Sequence, residues 1–321
     1  MFNRPPLDTN YEVLFTIMIR MHKYAAIDIG SNAVRLLLAV IAEPAQNPKK
    51  ITWARMPIRL GEDAFLLGRI SDEKTNQLKN AINGFKYLIE AFQPLAFMAC
   101  ATAAMRTADN GHEICHQILQ EIGVSIDIID GRQEAGFLYK NKPKDLFSDK
   151  EACLFVDVGG GSTEMTLFYQ GRRIASESFN LGAIRLLKQQ ADPLIWKAME
   201  HWVKDKTAGY TSIVSIGSGG NINKLFRLAK GKKGKPISYK IIRNVYKQLR
   251  QLSIDHRIEQ FSLRPDRADV IVPASEIYLK IMKWSGCQKI HVPMLGLSDG
   301  MIRVLHERRH GSIPGRSGSE S

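Results

Sequence analysis

Tyr24-Ala25-Ala26-Ile27-Asp28-Ile29-Gly30-Ser31-Asn32 and Ala152-Cys153-Leu154-Phe155-Val156-Asp157-Val158-Gly159-Gly160-Gly161-Ser162-Thr163 carry one pattern twice. In each, an apolar run reads as a buried strand, an aspartate stands near its end, and a glycine-containing turn follows. Val34 to Ile41 and Glu164 to Tyr169 read as return strands, so each copy predicts a hairpin. The copies lie about 130 residues apart, too long a period for a solenoid and one that fits two related domains.

Outward from these hairpins, strands alternate with helices. Asp72 to Phe92 places Leu78, Ile82, Phe85 and Ile89 at helical spacing, and Pro94 closes it. Leu95 to Ala101 reads as a buried strand, Asn110 to Ile122 as a helix and Ser125 to Ile129 as a strand. In the second half, Pro193 to Lys206 is a helix, and Ile213 to Ile216 is a strand entering Gly217-Ser218-Gly219-Gly220. Ile237 to Leu252 and Arg267 to Trp284 read as helices, Lys289 to Val292 as a strand and Ser298 to His306 as a final helix. The alternation predicts an α/β architecture. The expected organisation is a poorly ordered leader over 1–21, upstream of the natural start or simply unstructured, then one domain over 22–131 and a second over 132–297. A helix over 298–308 is expected to pack back on the first domain, and the Gly- and Ser-rich tail over 311–321 to be disordered.

A chain of 321 residues with 44% hydrophobic content can fill two cores. Cys100, Cys115, Cys153 and Cys287 form no C-x-x-C pair, which points to a reducing compartment without disulfides. No run approaches the ~20 apolar residues of a spanning helix. Val13 to Ile19 is short, ends at Arg20 and lacks a cleavage site, so a cytoplasmic protein with no membrane partner is expected. The formal charge of +13 favours a polyanionic partner, a sign shared by nucleic acid, acidic lipid and polyphosphate. The basic runs Lys140 to Lys144, Lys230 to Lys235 and Arg308-Arg309 read first as solvated loops. No helix-turn-helix or aromatic stacking motif supports nucleic acid.

Three glycine-rich turns follow apolar strands, at Asp28 to Asn32, Asp157 to Thr163 and Gly217 to Asn221. Successive backbone N–H groups in such turns form a nest for phosphate oxygens, and an aspartate at a strand end can hold magnesium directly or through water. None of the turns matches G-x-x-x-x-G-K-[ST], which excludes a P-loop enzyme. His112-Glu113-Ile114-Cys115-His116 matches the H-E-x-x-H zinc pattern, yet no downstream residue stands in a third-ligand context. The other histidines form no cluster in the sequence.

Ala26-Ile27-Asp28-Ile29-Gly30-Ser31-Asn32-Ala33-Val34-Arg35-Leu36 resembles the first phosphate motif of the exopolyphosphatase and guanosine pentaphosphate phosphohydrolase (Ppx/GppA) family, and Asp157 to Glu164 resembles its second. The resemblance extends to Ala101 to Asn110, Asp130 to Ala135, Leu181 to Leu186, Arg267 to Ile271 and Gly296 to Gly300, covering Tyr24 to about His306 in the family's order. It implies two ribonuclease-H-like domains of the actin-like ATPase superfold facing a central cleft, in a short two-domain form. It further implies an exopolyphosphatase that releases orthophosphate from the end of inorganic polyphosphate or guanosine pentaphosphate.

By this resemblance Glu134 is the general base, and Asp28, Asp157 and Glu164 hold magnesium or another divalent cation. Phosphate would meet Ser31, Asn32, Arg35, Arg106, Gly159, Gly160, Gly161, Ser162, Gly217, Ser218 and Gly219. Arginine offers phosphate a two-pronged donor; the alternative for Asn32, Arg35 and Arg106 is a structural pair, which weighs most at Arg35, farther along its strand. The third turn, Gly217-Ser218-Gly219-Gly220-Asn221-Ile222-Asn223, departs from the glycine-threonine turn of the family. Longer members carry a further C-terminal helical region, and its absence weakens the expectation of processive action on long chains. Two rival readings keep the same fold: a polyphosphate- or alarmone-binding protein with weak catalysis, and an ATP-dependent small-molecule kinase. A homodimer is compatible with either.

Overall fold

The computed structural model describes residues 21–42, 47–141, 151–170, 172–190 and 192–310. Residues 1–20 of the leader expected over 1–21, the tail over 311–321 and the Lys142 to Lys144 part of one basic run lie outside the described residues, whereas Met21, the last residue of that expected leader, already belongs to the first strand.

β1 (Met21–Ile29) and β2 (Val34–Ala42) form the first hairpin, in antiparallel register with Asp28 opposite Arg35 and Ile29 opposite Val34. β3 (Lys49–Met56) adds to β2, while β4 (Ala96–Ala101) and the short β5 (Asp127–Ile128) extend the sheet in parallel on the other side, giving the order β3-β2-β1-β4-β5. The second hairpin, β6 (Ala152–Val158) with β7 (Thr163–Tyr169), repeats the arrangement, with Asp157 opposite Glu164. β8 (Arg172–Phe179) pairs with β7, and β9 (Ile213–Ser218) runs parallel to β6. β11 (Lys289–His291) and β10 (Ile237–Ser238) complete the order β10-β11-β9-β6-β7-β8. The duplicated pattern thus becomes two sheets, each with an antiparallel side and a parallel side, the second closed by the short antiparallel edge strand β10. Their parallel central strands are apolar along their length because helices cover both faces.

α1 (Leu60–Leu66), α2 (Asp72–Phe92), α3 (Ala103–Thr107) and α4 (Gly111–Ile122) belong to the first sheet. α2 starts where Ser71 accepts from the Lys74 N–H, and its apolar stripe, Leu78, Ile82, Phe85 and Ile89, is buried. α5 (Gly131–Tyr139) opens with a capping box: the Asp130 carboxylate accepts from the Gln133 N–H at 2.7 Å, and the Gln133 side chain accepts from the Asp130 N–H at 3.0 Å. Around the second sheet lie α6 (Ala183–Leu187), α7 (Pro193–Thr207), α8 (Gly219–Leu228), α9 (Tyr239–Gln251), α10 (Ile254–Phe261), α11 (Pro265–Ala268) and α12 (Ile271–Trp284). α13 (Leu297–His310) crosses back to pack on β1, β2, β4 and α5. There Met301, Ile302 and Leu305 join Tyr24, Leu37 and Met98 in a core on one face of the first sheet.

Two segments expected as single helices are divided. Ile237 and Ser238 pair with β11, and α9 starts only where Ser238 caps the Ile241 N–H at 3.3 Å. Between α11 and α12, the Asp269 carboxylate accepts from the Val270 N–H at 2.8 Å, a local bond that competes with the helical ladder. The histidines also depart from expectation: antiparallel packing of α13 on β1 brings His22 and His310 to 4.2 Å between ring centroids and His306 and His310 to 4.8 Å.

Candidate functional site

Each hairpin turn is tightened by one backbone bond, Gly30 N–H to the Ala33 carbonyl at 3.1 Å and Gly159 N–H to the Ser162 carbonyl at 2.9 Å. The two turns abut across the gap between the sheets: a Cβ on Gly160 would fall 2.9 Å from the Ser31 Cβ. At the third turn, Gly219 has φ +87°, and a Cβ there would lie 2.5 Å from an Asp157 carboxylate oxygen. Only glycine takes this conformation at no cost and lets the backbone approach the aspartate. Tyr278 ties the second and third turns together, donating to the Ser218 carbonyl at 2.8 Å and accepting from the Val158 N–H at 3.2 Å.

The turns line a cleft of about 490 Å³. Asp28, Ser31, Asn32, Arg35, Glu134, Asp157, Gly159, Gly160, Ser162, Glu164 and Gly219 all reach its wall. Ser218 lies just behind it, its hydroxyl donating to Asp157 at 2.9 Å. Arg106 is not in the wall and donates to the Ile129 carbonyl at 2.6 Å. Gly161 packs on the Phe65 ring, and Gly217 sits in β9 beneath Ile222 and Ile290. Arg35 lines the cleft while paired at 2.6 Å with Asp28, its register partner. Asn32 donates to the Asp266 carbonyl at 2.9 Å.

The carboxylates are crowded and poorly solvated. Burial drives Asp157 up to about 6 against the hydrogen bond from Ser218, with the Asp28 charge adding to the rise. Burial also lifts Glu164 to about 7, although Ser162 and Ser178 donate to it at 2.5 and 3.0 Å. Glu134 is pushed well above the usual carboxylate range by burial and then by the Glu164 and Asp157 charges, with Arg106 opposing. Among the described residues its enclosed Oε2 has no hydrogen-bond partner. Asn32 Oδ1, Arg55 Nε and Asn223 Oδ1, all in cleft residues, are likewise buried and unpartnered. So many unsatisfied groups at one place fit a site built for a polar ligand.

Among the described residues no three His, Cys, Asp or Glu side chains form a ready metal cage. Magnesium keeps several waters and is commonly bound by one or two carboxylates together with substrate phosphates. The buried carboxylates of Asp157, Glu164 and Asp28 fit that partial role, the last in competition with Arg35. His112 and His116 are exposed on α4, and Glu113 accepts from Gln117.

The sequence reading missed a set of cations in the same wall: Lys50 and Arg55 from β3, Lys224 and Arg227 from α8, and Arg264 and Arg267 around α11. Burial, with Arg35 and Arg55 nearby, lowers Arg267 to about 9, and it donates to Asn221 at 2.8 Å. β3 offered no clear signal, since Lys50 and Arg55 are five residues apart and fall on opposite parities of the strand.

Known proteins share this fold. The chain aligns over 171 residues, at 28% identity, with a bifunctional 3-dehydroquinate synthase/phosphatase of Fusobacterium nucleatum, covering 51% of this chain and 26% of that protein. With exopolyphosphatase 1 of Mycobacterium tuberculosis it is 26% identical over 167 residues, covering 52% of this chain and 48% of that protein. The match therefore spans about half or less of these relatives. An exopolyphosphatase from Cytophaga hutchinsonii superposes with a TM-score of 0.78 at 20% identity, covering 90% of this chain and 98% of that one. A Ppx/GppA protein of Aquifex aeolicus superposes with a TM-score of 0.73 at 24% identity, covering 91% and 100%. These superpositions establish the fold, two ribonuclease-H-like halves of the actin-like ATPase class. Residues 39–308 match the Ppx/GppA phosphatase family, and the chain belongs to it.

Proposed function

We propose that the protein hydrolyses the terminal phosphoanhydride of inorganic polyphosphate or a polyphosphorylated nucleotide such as guanosine pentaphosphate, with magnesium or another divalent cation. The observation that carries this reading is Glu134, an enclosed carboxylate oxygen with no partner, facing a cleft lined by phosphate-type turns. A general base needs a lone pair that no protein group occupies and a pKa near the working pH, and burial among other carboxylates raises this one in that direction. The name of the mycobacterial relative supports the substrate class.

Glu134 orients a water and takes its proton as the water oxygen bonds to the terminal phosphorus. The bridging P–O bond breaks on the opposite side, and its electron pair leaves with the shortened chain. The backbone N–H groups of Ser31 and Gly160, which the turns leave free of the Gly30–Ala33 and Gly159–Ser162 bonds, hold the phosphoryl oxygens, and Arg55 and Arg267 offset the charge of the leaving chain. A bound divalent cation would supply charge neutralisation and polarise the phosphoryl oxygens.

Phosphate release with magnesium from tripolyphosphate, long polyphosphate, guanosine pentaphosphate and ATP tests the reading. One of the first three should turn over in the wild type. Glu134→Gln should lose about 10² to 10⁴ in kcat and still bind substrate. Tight binding without turnover in the wild type would replace the hydrolase by a binding protein.

A further inference from the structure

On the outer face of the second sheet's helices, α9 and α12 enclose a groove of about 920 Å³ that shares no lining residue with the cleft. Arg243, Lys247 and Arg250 enter it from α9, and Lys280 and Lys283 face them from α12. The α9 cations stand at i, i+4 and i+7, so they share one helix face and mark out a row about 10 Å long. Glu276 is the one acid in the lining; it lies 3.8 Å from Lys280, whose ammonium also sits 4.1 Å over the Trp196 ring. Among the described residues no carboxylate is ion-paired to Arg243, Lys247, Arg250 or Lys283, and all four are exposed. A concave wall of one sign with low-dielectric sides focuses its field and concentrates polyanions.

We propose that this groove is an exosite for the distal part of a long inorganic polyphosphate chain whose end is in the cleft, an inference that rests on the polyphosphate reading of that cleft. The lining selects for a chain of bare phosphates. Tyr239 and Tyr246 are half-buried, so neither is the open platform on which nucleic-acid bases stack. Leu279 is the one aliphatic residue in the lining and is itself buried, whereas five cations stand around it. Two facing rows of cations instead match a linear polymer that carries charge on every unit. The run Lys230 to Lys235 leads in sequence into β10 and α9 and continues the same sign toward the helix start.

The test compares the parent with the triple variant Arg243→Gln/Lys247→Gln/Arg250→Gln, which changes exposed side chains alone. Turnover of tripolyphosphate is expected to be unchanged. For long-chain polyphosphate, KM should rise about tenfold with kcat retained, and the slope of log affinity against log salt should fall by about 2. Affinity for long polyphosphate is also measured in a Glu134→Gln background, so the groove is tested even if no substrate turns over in any form. A failure of catalysis alone then counts against the cleft reading, while a triple variant that binds long polyphosphate like its parent overturns the exosite. Single-stranded RNA of matched charge that binds the parent more tightly than polyphosphate, and loses that advantage in the triple variant, would overturn it in favour of a nucleic-acid surface.

Discussion

Glu134 and Arg35 show how far a single side chain follows from its neighbours in sequence. Arg35 is opposite Asp28 because the hairpin register puts it there, and the ion pair follows. At the same register position of the second hairpin stands Glu164 opposite Asp157, so one copy neutralises its aspartate and the other leaves two acids together. Burial is the main reason that Glu164 rises to about 7 and Glu134 above its ordinary range, and the unneutralised acids add to both. Because the Glu134 carboxyl holds its proton to a higher pH than the ordinary 4.5, a base role requires kcat/KM to climb with pH above that value. A pH–rate profile should show this limb in the wild type and lose it in Glu134→Gln. A profile already flat from pH 5 upward would count against Glu134 as the base.

α5 and α13 set the position of that carboxylate. The capping box at Asp130 fixes where α5 begins, and with it the first turn that carries Glu134. Behind it, a Cβ on Gly300 of α13 would fall 1.9 Å from the Phe137 carbonyl oxygen, so the two helices touch backbone to backbone. Gly300→Ala must push α5 away, with an expected stability loss of roughly 1–3 kcal/mol by thermal unfolding. A shift of α5 should also lower kcat by tenfold or more, since misplacement of a catalytic group by about 1 Å can cost ~10²-fold. Unchanged kcat in a folded Gly300→Ala protein would show that this contact does not position the base. Much of this scale was legible in the sequence: α2 and both hairpins have the spacing of their apolar residues written in them. β3, β8 and α10 were not read, because their exposed or half-exposed residues give no strong period, and α1 was not read because it is only seven residues long. The cleft cations were equally hidden, since Arg55, Lys224 and Arg264 converge only through the folding of three separate segments.

Across the whole molecule, the two halves are tied at one edge of the cleft. Arg55 of β3 is ion-paired to Asp266 of α11, Asn32 of the first turn donates to the same residue, and Arg59 is paired to Asp269 at 2.6 Å. Asp266 is buried, which raises its pKa, but the Arg55 guanidinium outweighs burial and the net shift is downward. Its contribution to stability is therefore complete above the ordinary 3.8 and lost as pH falls through the lower folded value. Asp266→Asn leaves the Arg55 side chain, 4% exposed, without its counter-charge. The variant should lose about 3–5 kcal/mol in denaturant unfolding. Small-angle scattering should find it more open than the wild type and closed again by substrate; identical profiles for the two proteins would show that the pair is no latch. A different consequence follows from α13. The first sheet has all its strands once Ile128 has been synthesised, yet Tyr24, Leu37, Met98 and Cys100 on one of its faces are covered by Leu297 to Leu305. While the ribosome translates the entire second half, the nascent first half carries an open apolar face. The core on that face of the first sheet is therefore completed only when the last helix has been made.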